Sequence, residues 1–369
     1  MNARLAAALL VLLAALGGGA LIAYRQSQAP QPAGALGQPL LKGLKAADVA
    51  AISIRQPKES LELRLKDGRW TIAERADFAA DPAKVKEFAV KLIELKIGEA
   101  DPLGEKDRAR LHLDDSGARV DFRGADGKIL AALVIGKKYF KREPDNPERA
   151  IADGRWAMRA GEPGTAFLVA DPLSQASAKS ADWIAKTAFS VERVKTLEVR
   201  PPSGEGWRIE RKGDNADWKL TPLKAGEKLD VTRANSASYS LSLLELADVA
   251  PQDASPAATG LDKPTLVNAT TLDGLSYAIK VGKLEGANYY VSFSPGDSLI
   301  KTRSLEKNEK AADKERRDKE FAERVKRIAE RLPAEKQLSN YVLLIPKSKL
   351  EDTLKKRGEL LEKKEPKKK

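Results

Sequence analysis

The chain has no cysteine, one histidine and two methionines in 369 residues. Without cysteine there can be no disulfide scaffold, thiol nucleophile, iron–sulfur cluster or cysteine-ligated zinc. A Ser-His-Asp triad or an imidazole metal site would have to use His112. Aromatic residues make up only 5%, too few to interleave with basic residues as a stacking platform for single-stranded nucleic acid. H-E-x-x-H, G-x-S-x-G, P-loop and EF-hand motifs are all missing.

The 42% of hydrophobic residues is enough for real cores, and the length points to about two domains. The net charge of +12 is unevenly placed. Residues 301–369 hold 23 Lys/Arg against 14 Asp/Glu, a balance of +9, so residues 1–300 are nearly neutral at +3. The basic excess therefore belongs to the C-terminal region, and no nucleic-acid partner is expected.

Leu5–Ala23 is a run of 19 uncharged residues, seven Leu and seven Ala among them. At about 1.5 Å per residue it would span a hydrocarbon core of about 30 Å. Residues 1–25 are read as a transmembrane anchor that contacts the membrane through 5–23. The Gly17-Gly18-Gly19-Ala20 stretch would also suit a cleavable signal, although the apolar run continues through Leu21-Ile22-Ala23. Lys and Arg flank both sides, so charge alone leaves the orientation open. Residues 26–40, with Pro30, Pro32 and Pro39, read as a linker.

The body resembles itself at a spacing of about 148 residues. Val49-Ala-Ala-Ile52-Ser-Ile54 matches Val194-Lys-Thr-Leu197-Glu-Val199, and Trp70-Thr-Ile72 matches Trp218-Lys-Leu220. Leu92-Ile-Glu-Leu95 matches Leu243-Leu-Glu-Leu246, Leu113-Asp114 matches Leu261-Asp262, and Val134-Ile-Gly136 matches Lys280-Val-Gly282. A period this long means tandem domains, predicted over 41–185 and 186–300. In each, strands lead to one helix and then to more strands. Pro82 starts the first helix, whose stripe is Val85, Phe88, Leu92 and Leu95; Ala234, Ala237, Leu241 and Leu244 form the second. The predicted fold class is α+β: an N-terminal transmembrane helix, two repeated, mainly antiparallel α+β domains, and a charged helical C-terminal region.

Lys137–Pro147 is an insert of the first domain. It reads as a long polar loop carrying Tyr139, Phe140, Lys141 and Arg142. Those four residues, with Tyr289 and Tyr290 of the second domain, are the candidate partner contacts. Residues 301–369 read as a separate region. It has a helical stripe at Phe321, Val325, Ile328 and Leu332, a strand at 341–345, a last helix lined by Leu350, Leu354 and Leu361, and a basic tail.

No set of residues makes a case for catalysis. His112 sits where the second repeat has Gly260, and Asp114-Asp115 reads as a solvated turn. Neither cofactor nor metal ligands are predicted. The V-x-x-I-x-I strand, the W-x-I strand, the helix ending L-I-E-L and V-I-G-K, in that order behind an apolar N-terminus, resemble the bacterial DUF4340 family, often found in tandem. The resemblance covers most of residues 40–300. It implies a periplasmic accessory protein, anchored in the inner membrane beside an ABC-2-type permease, its ATPase and a gliding-motility-type auxiliary subunit. It brings no catalytic residues. A cell-envelope module binding glycan or lipid is the alternative reading.

Overall fold

The computed structural model describes residues 36–143, 146–303 and 309–363. The predicted anchor, most of the linker and the end of the basic tail lie outside them. Among the described residues no helix is long and apolar enough to cross a membrane.

The first run of elements is β1 (Ala51–Gln56), β2 (Glu59–Lys66), β3 (Arg69–Ile72), β4 (Phe78–Ala79), α1 (Pro82–Glu94), β5 (Ile97–Pro102) and α2 (Glu105–Arg110). It ends with β6 (Ala118–Arg123), β7 (Ile129–Glu143), β8 (Asn146–Arg159) and β9 (Thr165–Val169). The second run is β10 (Val194–Arg200), β11 (Trp207–Glu210), β12 (Lys219–Leu220), α3 (Val231–Tyr239), β13 (Asp248–Val249) and α4 (Pro256–Thr259). It continues through β14 (Thr265–Thr271), β15 (Ser276–Glu285), β16 (Asn288–Pro295), α5 (Ala311–Leu338), β17 (Leu343–Pro346) and α6 (Lys347–Leu350).

These strands form two antiparallel sheets, an α+β fold. The first is ordered β4-β3-β2-β1-β6-β7-β8-β9-β5 and the second β12-β11-β10-β14-β15-β16-β17-β13. With β4 set aside, the two orders correspond strand for strand. The registers correspond as well: Ile52 lies between Leu63 and Phe122, and Leu197 between Ile209 and Ala269. Alternation puts Ile52, Ile54, Val120, Phe122, Leu133 and Ile135 in the core. Val85, Phe88 and Leu92 of α1 are also buried, as are Ala234 and Ala237 of α3.

The recurring glycine of V-I-G-K has a physical cause. A Cβ on Gly136 would collide with the Leu111 carbonyl oxygen just past α2, and one on Gly282 with the Thr259 carbonyl oxygen in α4. In the first copy that carbonyl accepts a hydrogen bond from the Lys137 N–H (2.8 Å). Only glycine lets the strand approach so closely.

The chain divides into two compact units, one of described residues up to Gly68 with Pro82–Lys179, the other of Arg69–Asp81 with the residues from Ser180 onward. The predicted boundaries at 185/186 and 300/301 therefore differ from the observed ones. In the second unit Arg75 pairs with Asp248 and Phe78 meets Tyr341 edge to face at 4.9 Å. The expected separate region from residue 301 also needs correction. Its strand β17 lies inside the second sheet, with Leu343 opposite Val291 and Leu344 opposite Asp248. The helix α5 interrupts the sequence between two strands that are neighbours in space, which hides the connection from a linear reading.

Polar contacts and the buried Ile328 fasten α5 to its unit. The buried Glu335 carboxylate accepts from the Tyr277 hydroxyl (2.8 Å) and the Ser190 N–H (3.2 Å). Arg331 donates to Glu192 (2.8 Å), and Arg324 to Asp273 (3.0 Å). The predicted last helix through Leu361 is not formed. One turn, α6, gives way to extended backbone at Lys356 and a 3₁₀ turn over Arg357–Leu360. Buried Arg357 there donates to the Pro222 carbonyl (2.9 Å), and Leu361 bridges to Leu229.

Candidate functional site

The insert of the first repeat is the most exposed apolar feature among the sequence-predicted residues, and it is not a loop. Beyond Ile135, β7 and β8 continue as a two-stranded ribbon, with Tyr139 opposite Gly154, Phe140 opposite Ala152, Lys141 opposite Ile151 and Arg142 opposite Ala150. β6 pairs with β7 only as far as Ile135, and β9 pairs with β8 only over Arg155–Ala157. The arms beyond those points are solvated on both faces. Cross-strand backbone bonds, rather than a buried face, hold them, so polar and basic residues are accommodated in strand geometry. Register shifts at Ile135/Lys138, Tyr139/Phe140 and Arg142/Glu143 break the ribbon's regularity, which discourages indiscriminate edge pairing.

Phe140 is 52% exposed, Ile151 45% and Tyr139 41%. Lys141 and Arg142 are exposed next to them. By alternation, Tyr139, Lys141 and Ile151 share one face and Phe140 and Arg142 the other. Each face thus combines an aromatic ring with a cation.

Tyr289 and Tyr290 are not part of that ribbon. They lie on β16 in the second unit, opposite Ile345 and Leu344 of β17. Tyr290 is buried, and its hydroxyl donates to Glu285. Burial, and then the Glu285 carboxylate, push its phenol up to about 12. Tyr289 is half-buried. The expectation that these two tyrosines are partner contacts therefore does not fit the buried Tyr290, which is held within its own unit.

His112 ends α2 in the left-handed conformation (φ +55°), where Gly260 ends α4 (φ +72°). Asp114 folds back as an Asx turn, accepting from the Ser116 N–H (3.0 Å) and hydroxyl, and these bonds hold its carboxyl below the ordinary range. Both helices thus end in a left-handed turn at the corresponding position. Among the described residues no three of His, Cys, Asp and Glu gather at a spacing that would hold a metal ion.

Among the depressions of the second unit, two bear on function and were missed by the sequence reading. The larger, about 740 Å³, includes Arg193, Arg303, Phe321 and Arg324 in its lining. Its arginines are held by carboxylates. Asp273 receives both Arg193 and Arg324, while Glu309 receives both Arg303 and Arg317.

The smaller, about 440 Å³, opens between α3 and the start of β10. Thr232, Asn235, Ser238, Tyr239 and Ser242 line it from the side of α3 and the turn that follows, with Arg193 and Arg211 opposite. The Arg211 guanidinium stacks over Trp218 at 4.7 Å and donates to the carbonyls of Val194 (2.7 Å) and Asp214 (3.0 Å). The Trp218 indole N–H donates to Asn235 Oδ1 (2.8 Å). The signal for this wall was present in the sequence. It is the polar side of the helix whose Ala234-Ala237-Leu241 side was read as core.

The sequence model of the family described as "Domain of unknown function (DUF4340)" matches residues 70–264. No curated protein matches, and neither does any solved structure. The matched span runs from the Trp70 strand through both helix-terminating turns and covers more than half of the sequence; this chain belongs to the DUF4340 family.

Proposed function

We propose that the protein is a non-enzymatic, membrane-anchored, extracytoplasmic accessory or scaffold subunit of an ABC-type transport complex, with the β7–β8 ribbon as its docking arm. The exposed ribbon carries this reading. Tyr139, Phe140 and Ile151 sit in solvent beside Lys141 and Arg142 on an arm that the second repeat does not extend to the same length. Aromatic rings flanked by cations are the composition of interface anchors. The apolar run Leu5–Ala23 supports attachment to the inner membrane, and the resemblance to tandem family members supports a permease and its ATPase as partners. A cell-envelope glycan- or lipid-binding module is the second reading, favoured by the hydroxyl-rich pocket beside α3.

Cross-linking of the full-length chain in its native membrane, followed by co-purification and mass spectrometry, tests the proposal. The expected result is enrichment of a permease and an ATPase, lost when Phe140 and Ile151 are both changed to serine. Recovery of the protein without transporter subunits would overturn it.

A further inference from the structure

From the pocket beside α3 we infer a second, independent site, one for a neutral polyhydroxylated ligand of the saccharide class. Its volume of about 440 Å³ lies within the range of small-molecule sites. Unlike most such sites, its walls are polar, which selects a polar ligand.

The chemistry of the wall is specific. Ser238 lines the cavity, and its hydroxyl makes no hydrogen bond among the described residues and is open to solvent there. The unengaged hydroxyl is free to donate to or accept from a ligand in the cavity. Asn235 accepts from Trp218 through Oδ1, which leaves its amide N–H groups to donate. Thr232 and Ser236 add hydroxyls that can donate or accept. Tyr239, 64% exposed at the rim, offers a ring face of the kind that packs against the C–H face of a sugar. The floor is rigid, because backbone carbonyls and the Trp218 ring fix Arg211.

The charges argue for a neutral ligand. Arg193 is held by Asp214 and Asp273, and Arg211 by two carbonyls, with Asp214 Oδ1 4.0 Å away. A ligand rich in hydroxyls matches the paired donors and acceptors without having to displace a carboxylate.

Saturation-transfer NMR on the full-length chain, with N-acetylglucosamine and maltose as probes and inorganic phosphate followed by the broadening of its phosphorus-31 line, tests the site. Saturation should reach the sugar ring protons. Tyr239→Ala and Ser238→Ala should each weaken the response about tenfold, whereas Leu243→Ala, at an exposed residue outside the lining, leaves it unchanged. Tyr239 is exposed and alanine suits a helix, so both variants keep the fold. Three results would each overturn the inference: no transfer to either sugar, transfer that both variants retain in full, or binding of phosphate alone. None of these bears on the docking ribbon, whose test reads protein partners.

Discussion

At position 112 the backbone turns left-handed with an imidazole attached, and at 260 it makes the same turn with no side chain. An L-residue is disfavoured there by roughly 1 kcal/mol. His112→Gly should therefore raise stability by about 0.5–1 kcal/mol in urea denaturation. Gly260→Ala should lower it by more than that, since the new Cβ would stand 2.7 Å from the Lys283 backbone nitrogen. The pairing of His112 with Gly260 was legible in the sequence because the repeat aligns them. The reason for it was not, because a left-handed helix terminus leaves no mark on a residue that merely tolerates it.

Tyr290 makes a second prediction at this scale. Its neutral phenol is the form the fold favours. Its contribution is complete below the unfolded-state value near 10 and is lost as pH rises through the folded value of about 12. Melting temperatures should fall less steeply between pH 10 and 12 in Tyr290→Phe than in the unaltered chain.

Among the elements, α5 depends on a buried polar clamp. Tyr277→Phe leaves the Glu335 carboxylate without its hydroxyl donor and should cost about 1–3 kcal/mol. Urea denaturation measures the loss, and faster hydrogen exchange along 311–338 would locate it. The ribbon behaves oppositely. Phe140→Ser and Ile151→Ser remove exposed side chains and should change stability by less than about 0.5 kcal/mol. Circular dichroism melts check this before the pull-down is interpreted.

The elements also show which signals a sequence carries. Strands with one buried face were readable as alternation, as at Leu197-Glu198-Val199. The ribbon arms bury neither face, so no period of two survives in Lys137-Lys138-Tyr139-Phe140-Lys141-Arg142, and the segment reads as a loop. The pocket beside α3 was equally hidden, since each of its polar residues is ordinary for an exposed helix face. Only the fold sets β10 and Arg211 opposite them.

For the molecule as a whole, the duplication was readable because five motifs recur in order, whereas the end of the second copy was not. Its eighth strand lies beyond a long charged helix, and no local pattern ties Leu343 to Val291. A chain stopped after Ile300, at the boundary the sequence suggests, would lose β17 and leave β16 and β13 without their shared neighbour. Such a chain should aggregate on expression, whereas one stopped after Lys363 should remain monodisperse by size-exclusion chromatography. Removal of residues 1–25 should release the protein from membranes into the soluble fraction, as membrane flotation would show.

The late arrival of β17 also gives the protein a built-in timetable. During synthesis the first repeat can close soon after β9 emerges, because β8 and β9 are separated by a few residues. The second must wait for the whole of α5 to leave the ribosome before its sheet is filled. Until then a nascent chain carries an open slot between β16 and β13, shaped for a short apolar strand. Translational stalling within α5 would prolong the interval in which a stranger's strand could take the place of its own.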